Sequence, residues 1–206
     1  LPGAGSLKLA RLFAQTAPTD GSTLAVIGNS LALTPVFEPD TAGFAPDQVR
    51  YVGTMSNEAS YCYTMKSSGI TTMDQLLADP AAKMGATGKS SSTYTYAAAL
   101  KRLFDGQFQI VVGFEGGAEI DLALERGDIQ ARCGATMSGL VRTGLIERVN
   151  VLAELSADKT KATGQGEFLI DRVTDPAKRA AFALILAPAA IHHPFVVPAA
   201  TPEPVL

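Results

Sequence analysis

The sequence predicts an α/β fold with mainly parallel sheets, on three observations. Short apolar segments of strand type alternate with amphipathic helical segments along nearly the whole chain, as in strands joined by crossover helices. Turns rich in Gly, Ser and Thr follow several of these strands. The composition is that of an ordinary globular protein, with 206 residues of which 47% are hydrophobic and a net charge of −3. Such a length fits one large domain or two lobes of about 100 residues each.

The elements follow in order. Residues 1–21, LPGAGSLKLARLFAQTAPTDG, read as a turn and then a helix. Leu7, Ala10, Phe13 and Ala14 share one face, with Lys8, Arg11 and Gln15 opposite. Pro18 and the Asp20-Gly21 pair stop the helix. STLAVIGNS (22–30) is a short buried strand ending in a polar turn, and the prolines at 35, 39 and 46 keep 34–50 mostly in loop. In YVGTMSNEASYCYTMK, an extended segment alternates Tyr61, Tyr63 and Met65 with Cys62 and Thr64. TTMDQLLAD (71–79) starts a short helix with a Thr-x-x-Asp signal. AAKMGAT (81–87) is a brief strand. SSTYTYAAALKRLF (91–104) is a helix with Tyr94, Ala97, Ala98, Ala99 and Leu103 toward a core. FQIVVGF (108–114) is a strand, and GGAEIDLALERG (116–127) a helix with Ile120, Ala123 and Leu124 inward and Gly127 just past its end. DIQARCG (128–134) is a strand with Ile129, Ala131 and Cys133 on one face and Gln130 and Arg132 on the other. RVNVLAEL (148–155) is a strand, and TDPAKRAAFALIL (174–186) a helix capped by Asp175 with Pro176 in its first turn.

Several function classes are disfavoured. The negative net charge and the lack of a basic run argue against nucleic acid. The longest apolar run, AAFALILAPAAI at 180–191, is shorter than the roughly 20 residues that span a bilayer. MGATGKSSS (84–92) imitates a phosphate loop, but the Walker A spacing requires glycine where Lys83 stands, and Gly85 closes the loop too early. No G-x-S-x-G elbow is present. The only histidines, His192 and His193, adjoin Pro194 in a segment expected to be an extended turn, with side chains pointing apart and no metal partners. An enzyme, a metal and a cofactor are therefore not expected.

Three turns share one design. GNSLAL (28–33), ATGKSSST (86–93) and GFEGGAEI (113–120) each follow a short apolar strand. Ligands in open α/β folds bind outside the carboxyl ends of strands. Small residues admit close approach, helix starts offer unpaired N–H groups, and hydroxyls add donors. Together these form an anion site that needs no Arg; taken singly, each turn would serve equally well as a helix cap. Lys89 reads as an anion partner or a solvated loop residue. Glu115 and Glu119 flank the third turn, with Glu119 in the first turn of its helix, where the dipole favours a carboxylate. Asp121 and Glu125 belong on a wet face. Cys62 and Cys133 are either two free thiols or a disulfide; the latter requires neighbouring strands and an oxidising compartment.

Four segments together carry a resemblance. LPGAGSLKLARLFAQTAPTDGSTLAVIG is similar to a PGAG-helix-APxDGxTL stretch, MGATGKSSS to a GATGxGS ligand loop, GFEGGAEIDLALERGDIQARCG to a glycine–helix–RGEVDGRCG segment, and HHPFVVPAATP to GRPFxAPPGVP. In this order they resemble the TctC/Bug family, the solute receptors of tripartite tricarboxylate transporters. The resemblance implies a two-lobed type II periplasmic binding protein that passes a small carboxylate to a membrane permease, without nucleic-acid binding or membrane insertion. It places residues 1–58 and 136–206 in lobe one and 59–135 in lobe two, with the Cys62 and Cys133 strands as adjacent lobe crossings and hence a disulfide. Ligand contacts would come from Asn29, Ser30 and Leu31; from Thr87, Gly88, Lys89, Ser90, Ser91 and Ser92; from Gly116, Gly117, Ala118 and Glu119; and from Ala135 and Thr136. The family's opening strand and Pro-Gly-Gly loop are expected before Leu1, and its closing helices after Leu206, so both ends read as cut and lobe one as incomplete. Two further departures are ATMSGL (135–140), where relatives carry Trp and Ser, and His193, which replaces the family Arg before Pro-Phe. The other readings are an α/β enzyme with Lys89, Glu115 or the histidines converging on the turns, and a truncated chain that binds nothing.

Overall fold

Helix α1 (Leu7–Thr16) is the first helix of a computed structural model that describes residues 4–203. Leu1, Pro2 and Gly3 of the opening turn and Pro204, Val205 and Leu206 of the closing stretch lie outside the described residues. The predicted stripe of α1 holds, with Leu7, Ala10 and Phe13 buried. Strand β1 (Ala25–Val26) follows, and then a 3-10 turn at Asn29–Ala32. The segment expected to be loop folds as two single-turn helices, α2 (Thr34–Phe37) and α3 (Pro39–Ala42), each with proline in its first turn. The chain continues through β2 (Val49–Ser56), β3 (Ser60–Met65), α4 (Met73–Ala78), β4 (Lys83–Ala86) and α5 (Ser92–Leu103). Then come β5 (Gln109–Val112), α6 (Gly117–Arg126), β6 (Ala131–Ala135), α7 (Met137–Arg142), β7 (Val149–Leu155), β8 (Glu167–Phe168), α8 (Pro176–Leu186) and β9 (His192–Pro198).

The strands form two sheets, in the orders β1-β9-β2 and β5-β4-β6-β3-β7-β8. In the larger sheet β4–β5, β4–β6 and β7–β8 are parallel, whereas β3 runs antiparallel to both β6 and β7. The smaller sheet is wholly antiparallel. Parallel pairing thus holds for the crossover units, and the antiparallel pairs arise where distant parts of the chain return. Every residue of β3 is buried, because helices cover both faces of its sheet. On one face α4, α5 and α8 pack Met73, Leu76, Tyr96, Leu100, Phe182 and Leu186 against Cys62 and Met84. On the other, Ile120, Leu124 and Leu140 of α6 and α7 meet Tyr63, Met65 and Val149. The smaller body has its own core of Leu7, Phe13, Ile27, Leu31, Val49 and Val196. The sequence division gave 136–206 to the first lobe; β7 and β8 hydrogen-bond in the larger sheet, and α8 packs on its core.

Local signals were partly displaced. Helix α4 is capped by Thr72, not Thr71: its hydroxyl accepts from the Gln75 amide at 3.2 Å, and the Gln75 side chain accepts from the amides of Thr71 and Thr72 at 2.7 and 3.2 Å. Helix α5 buries Thr93, Tyr96, Ala97, Ala99 and Leu100, while Tyr94, Ala98 and Leu103 are only partly covered. Because α5 packs against both the sheet and α8, its buried stripe is turned from the expected one. HHPFVVP is not a turn but the central strand of the smaller sheet. Pro194 lies just beyond the end of β1 at Val26, where the missing N–H interrupts no paired residue of that strand, and its carbonyl accepts from the Ile27 amide at 3.2 Å; the opposing strand shifts register between Tyr51 and Gly53.

Candidate functional site

The three turns converge. Gly28 and Ser30 of the first, Thr87, Ser91, Ser92 and Thr93 of the second, and Glu115, Gly116 and Gly117 of the third line one cleft of about 360 Å³. The cleft lies between the two bodies. Helices α5 and α6 both start in its wall, which places two positive helix ends beside it. Ser91 caps α5: its hydroxyl accepts from the Tyr94 amide at 3.3 Å and donates to the Gly88 carbonyl at 2.6 Å. Thr93 Oγ1 accepts from the Thr87 amide at 3.1 Å, which fixes the second turn from within. Ser30 Oγ donates to the Ser90 carbonyl at 2.8 Å and so ties the first turn to the second. Gly5 completes the neck: its φ is +62°, and a Cβ there would lie 2.6 Å from Ser91 Cβ.

The predicted residues divide by location. Ser30, Thr87, Ser91, Ser92, Gly116 and Gly117 line the cleft. Ala118, Ala135 and Thr136 line an adjoining hollow of about 360 Å³ that shares Gly117, Arg132, Gly134 and His193 with the first. Lys89 is exposed and, with Ser90, borders a space of about 60 Å³ that shares Ser30 and Ser92 with the cleft but is lined by none of the third turn's residues. Leu31 is fully buried in the smaller core. Asn29 spends its amide inside the protein, donating to the Pro188 carbonyl at 2.9 Å and accepting from the Ser30 amide at 2.9 Å. Gly88 serves Ser91, and the Glu119 carboxylate accepts from the Glu115 amide at 2.6 Å, closing its own turn. Asn29, Leu31, Gly88 and Glu119 line none of these spaces.

Sequence reasoning missed Arg132, and it placed His193 at the site only in the enzyme reading. Arg132 was assigned only to the opposite strand face from Cys133, and Asp121 to a wet surface. Instead their side chains are 11% and 17% exposed and pair at 2.5 Å. Tyr63 Oη donates to the same Asp121 oxygen at 2.5 Å, and burial pushes the Tyr63 phenol well above its usual pKa. The missed signal was a charged residue on a short apolar strand that ends beside two Gly-rich turns. His193 lines both hollows and has φ +52°, a conformation uncommon for a residue with a side chain.

Cys62 and Cys133 are register partners on β3 and β6 and form a disulfide, with Cα atoms 4.0 Å apart. His192 is buried, its Nε2 3.2 Å from Ser60 Oγ, but Ser60 is fully buried and meets no substrate. Burial, and then the neighbouring His193, hold His192 below its usual pKa. The unfolded chain therefore binds a proton before the folded one does. Stability is full above about pH 6.5 and falls as pH drops from there toward the folded-state pKa. His192→Gln is expected to flatten this acid limb in urea unfolding measured between pH 7 and 5.

No protein-family model and no curated protein matches this sequence. Solved structures do match its fold. BugD, a periplasmic binding protein, superposes with a TM-score of 0.77 over 99% of this chain and 66% of its own, at 14% identity. MatC from Rhodopseudomonas palustris with bound malate gives 0.70 over 98% of this chain and 67% of its own, at 19% identity. An R. palustris protein with adipate gives 0.71 over 97% and 64%, at 14% identity. This chain has the Bug/TctC fold. It is thus a two-lobed type II periplasmic binding protein fold. The chain spans 66% of the length of BugD. The Bug/TctC neighbours are named as binding and transport proteins. Among the described residues no helix is long and apolar enough to cross a membrane.

Proposed function

We propose that this chain captures a small organic carboxylate between its two bodies, as a periplasmic receptor that serves a tripartite tricarboxylate permease. The observation that carries this reading is the convergence of three separate strand-end turns on one cleft. Their hydroxyls and helix starts suit an anion. Malate and adipate, bound by two proteins of the same fold, support the carboxylate class. The disulfide supports an oxidising compartment such as the periplasm. In this reading the hinge lies where the chain passes between the bodies, at 57–59 after β2 and 187–191 after α8, and closure of the bodies buries the ligand.

A thermal-shift panel of malate, adipate, succinate and citrate on the 206-residue chain tests the proposal. At least one acid is expected to raise Tm, by an amount that corresponds to about 2.7 kcal/mol at a hundredfold excess over Kd. A flat response to all four would refute it.

A further inference from the structure

We propose that Arg132 is the charged anchor of this site and receives one head of a small dicarboxylate along its Nε–Nη2 edge. The inference rests on reading the cleft as an organic-anion site. All three hydrogen bonds of the guanidinium leave from Nη1: to Asp121 Oδ1 at 2.5 Å, Gly117 O at 3.0 Å and Tyr63 Oη at 3.2 Å. Nε is buried and has no partner. Nη2 lies against the bare face of Gly117, where a Cβ would approach it to 2.4 Å. Both Arg132 and Gly117 belong to the wall shared by the two hollows.

This arrangement leaves unused the edge of the fork that matches a carboxylate. One carboxylate oxygen meets Nη2, and the second meets Nε as the guanidinium tilts toward the cleft. Binding thereby satisfies a buried donor that the free protein leaves unpaired, a condition that is costly to maintain. Asp121, which lines the adjoining hollow, is the positioning residue: with Tyr63 it holds Nη1 and balances the charge while the cleft is empty. The second head of the ligand reaches the hydroxyls of Thr87 and Ser92, which line the first hollow. Glu115, the acidic residue of that wall, is exposed and disfavours ligands that place a negative charge at the rim.

Calorimetric titration of the 206-residue chain with malate, adipate and their neutral diamides tests the assignment. The wild type is expected to bind an acid and not its diamide. Arg132→Lys keeps a cation for Asp121 but loses the fork, and is expected to weaken the acid by about tenfold or more at unchanged circular dichroism. Gly117→Ala, which crowds Nη2, is expected to do the same. Wild-type affinity for the acid in Arg132→Lys and Gly117→Ala would overturn the role of Arg132 and leave the cleft reading standing, whereas equal binding of acid and diamide by the wild type would overturn both. Binding of neither acid by the wild type would remove both. If Arg132→Lys fails to fold, Gly117→Ala, whose Cβ would come nearest the Nη2 side of the fork, decides in its place.

Discussion

Reduction of the Cys62–Cys133 bridge is expected to lower the unfolding free energy by about 4 kcal/mol. The two cysteines are 71 residues apart in sequence, so the bridge closes a long loop in the unfolded chain. In the chain-entropy account a loop of that length restricts the denatured ensemble strongly, and the effect grows only logarithmically with length. The native state loses little in exchange. Both residues are fully buried among Met73, Met84, Leu100 and Leu155, and reduced thiols pack there as small apolar groups. The backbone around them is already held, since β3 pairs with β6 on one side and β7 on the other. Urea unfolding of oxidised and reduced protein checks this. The midpoint should fall on reduction, while Cys62→Ala combined with Cys133→Ala should show no response to reductant. An unchanged midpoint would mean that the sheet alone restrains the chain.

The bridge also shows which parts of the fold could be read from sequence. Helices announced by caps and apolar spacing were legible: α8 starts at Asp175, whose carboxylate accepts from the Lys178 amide at 2.8 Å, and α6 ends at Gly127 with φ +80°. Strand β3 was legible as an extended segment from the alternation of Tyr61, Tyr63 and Met65 with Cys62 and Thr64, although both of its faces are buried. Strand β9 was not, because Pro194 and Pro198 are turn signals and only a non-local partner, the β1 and β2 pair, makes that segment a strand. The turn glycines and hydroxyls of the cleft carry a local signature, and the structure brings them together. Arg132 and Asp121 carry none: one sits on β6, the other on α6, and their pairing exists only once α6 is laid across the sheet. Side chains at the turns divided similarly. Serines that cap helices face the cleft, whereas Leu31 and Asn29 were claimed by the core and by Pro188, contacts distant in sequence.

Asp121→Ala is expected to destabilise the fold by about 3 kcal/mol, near the low end for breaking a buried ion pair. The reason is the charge left behind. Arg132 is only 11% exposed, and its Nε already lacks a partner, so the loss of Asp121 leaves the cation with neutral acceptors alone. The value sits at the low end because Asp121 itself keeps 17% of its side chain in contact with solvent. Asp121→Asn should cost less, since an amide oxygen still accepts from Tyr63 and Arg132. Removal of both charges, in Asp121→Ala with Arg132→Met, should restore most of the loss. Burying an ion pair gains little over an apolar pair of similar size, whereas one uncompensated charge costs a great deal. A double-mutant cycle by urea unfolding measures this directly. Additive single effects would show that Asp121 and Arg132 do not stabilise each other. Strong coupling would show that the cleft wall is held by a pair whose net value to folding is small. Such a pair fits a cation kept for something other than stability.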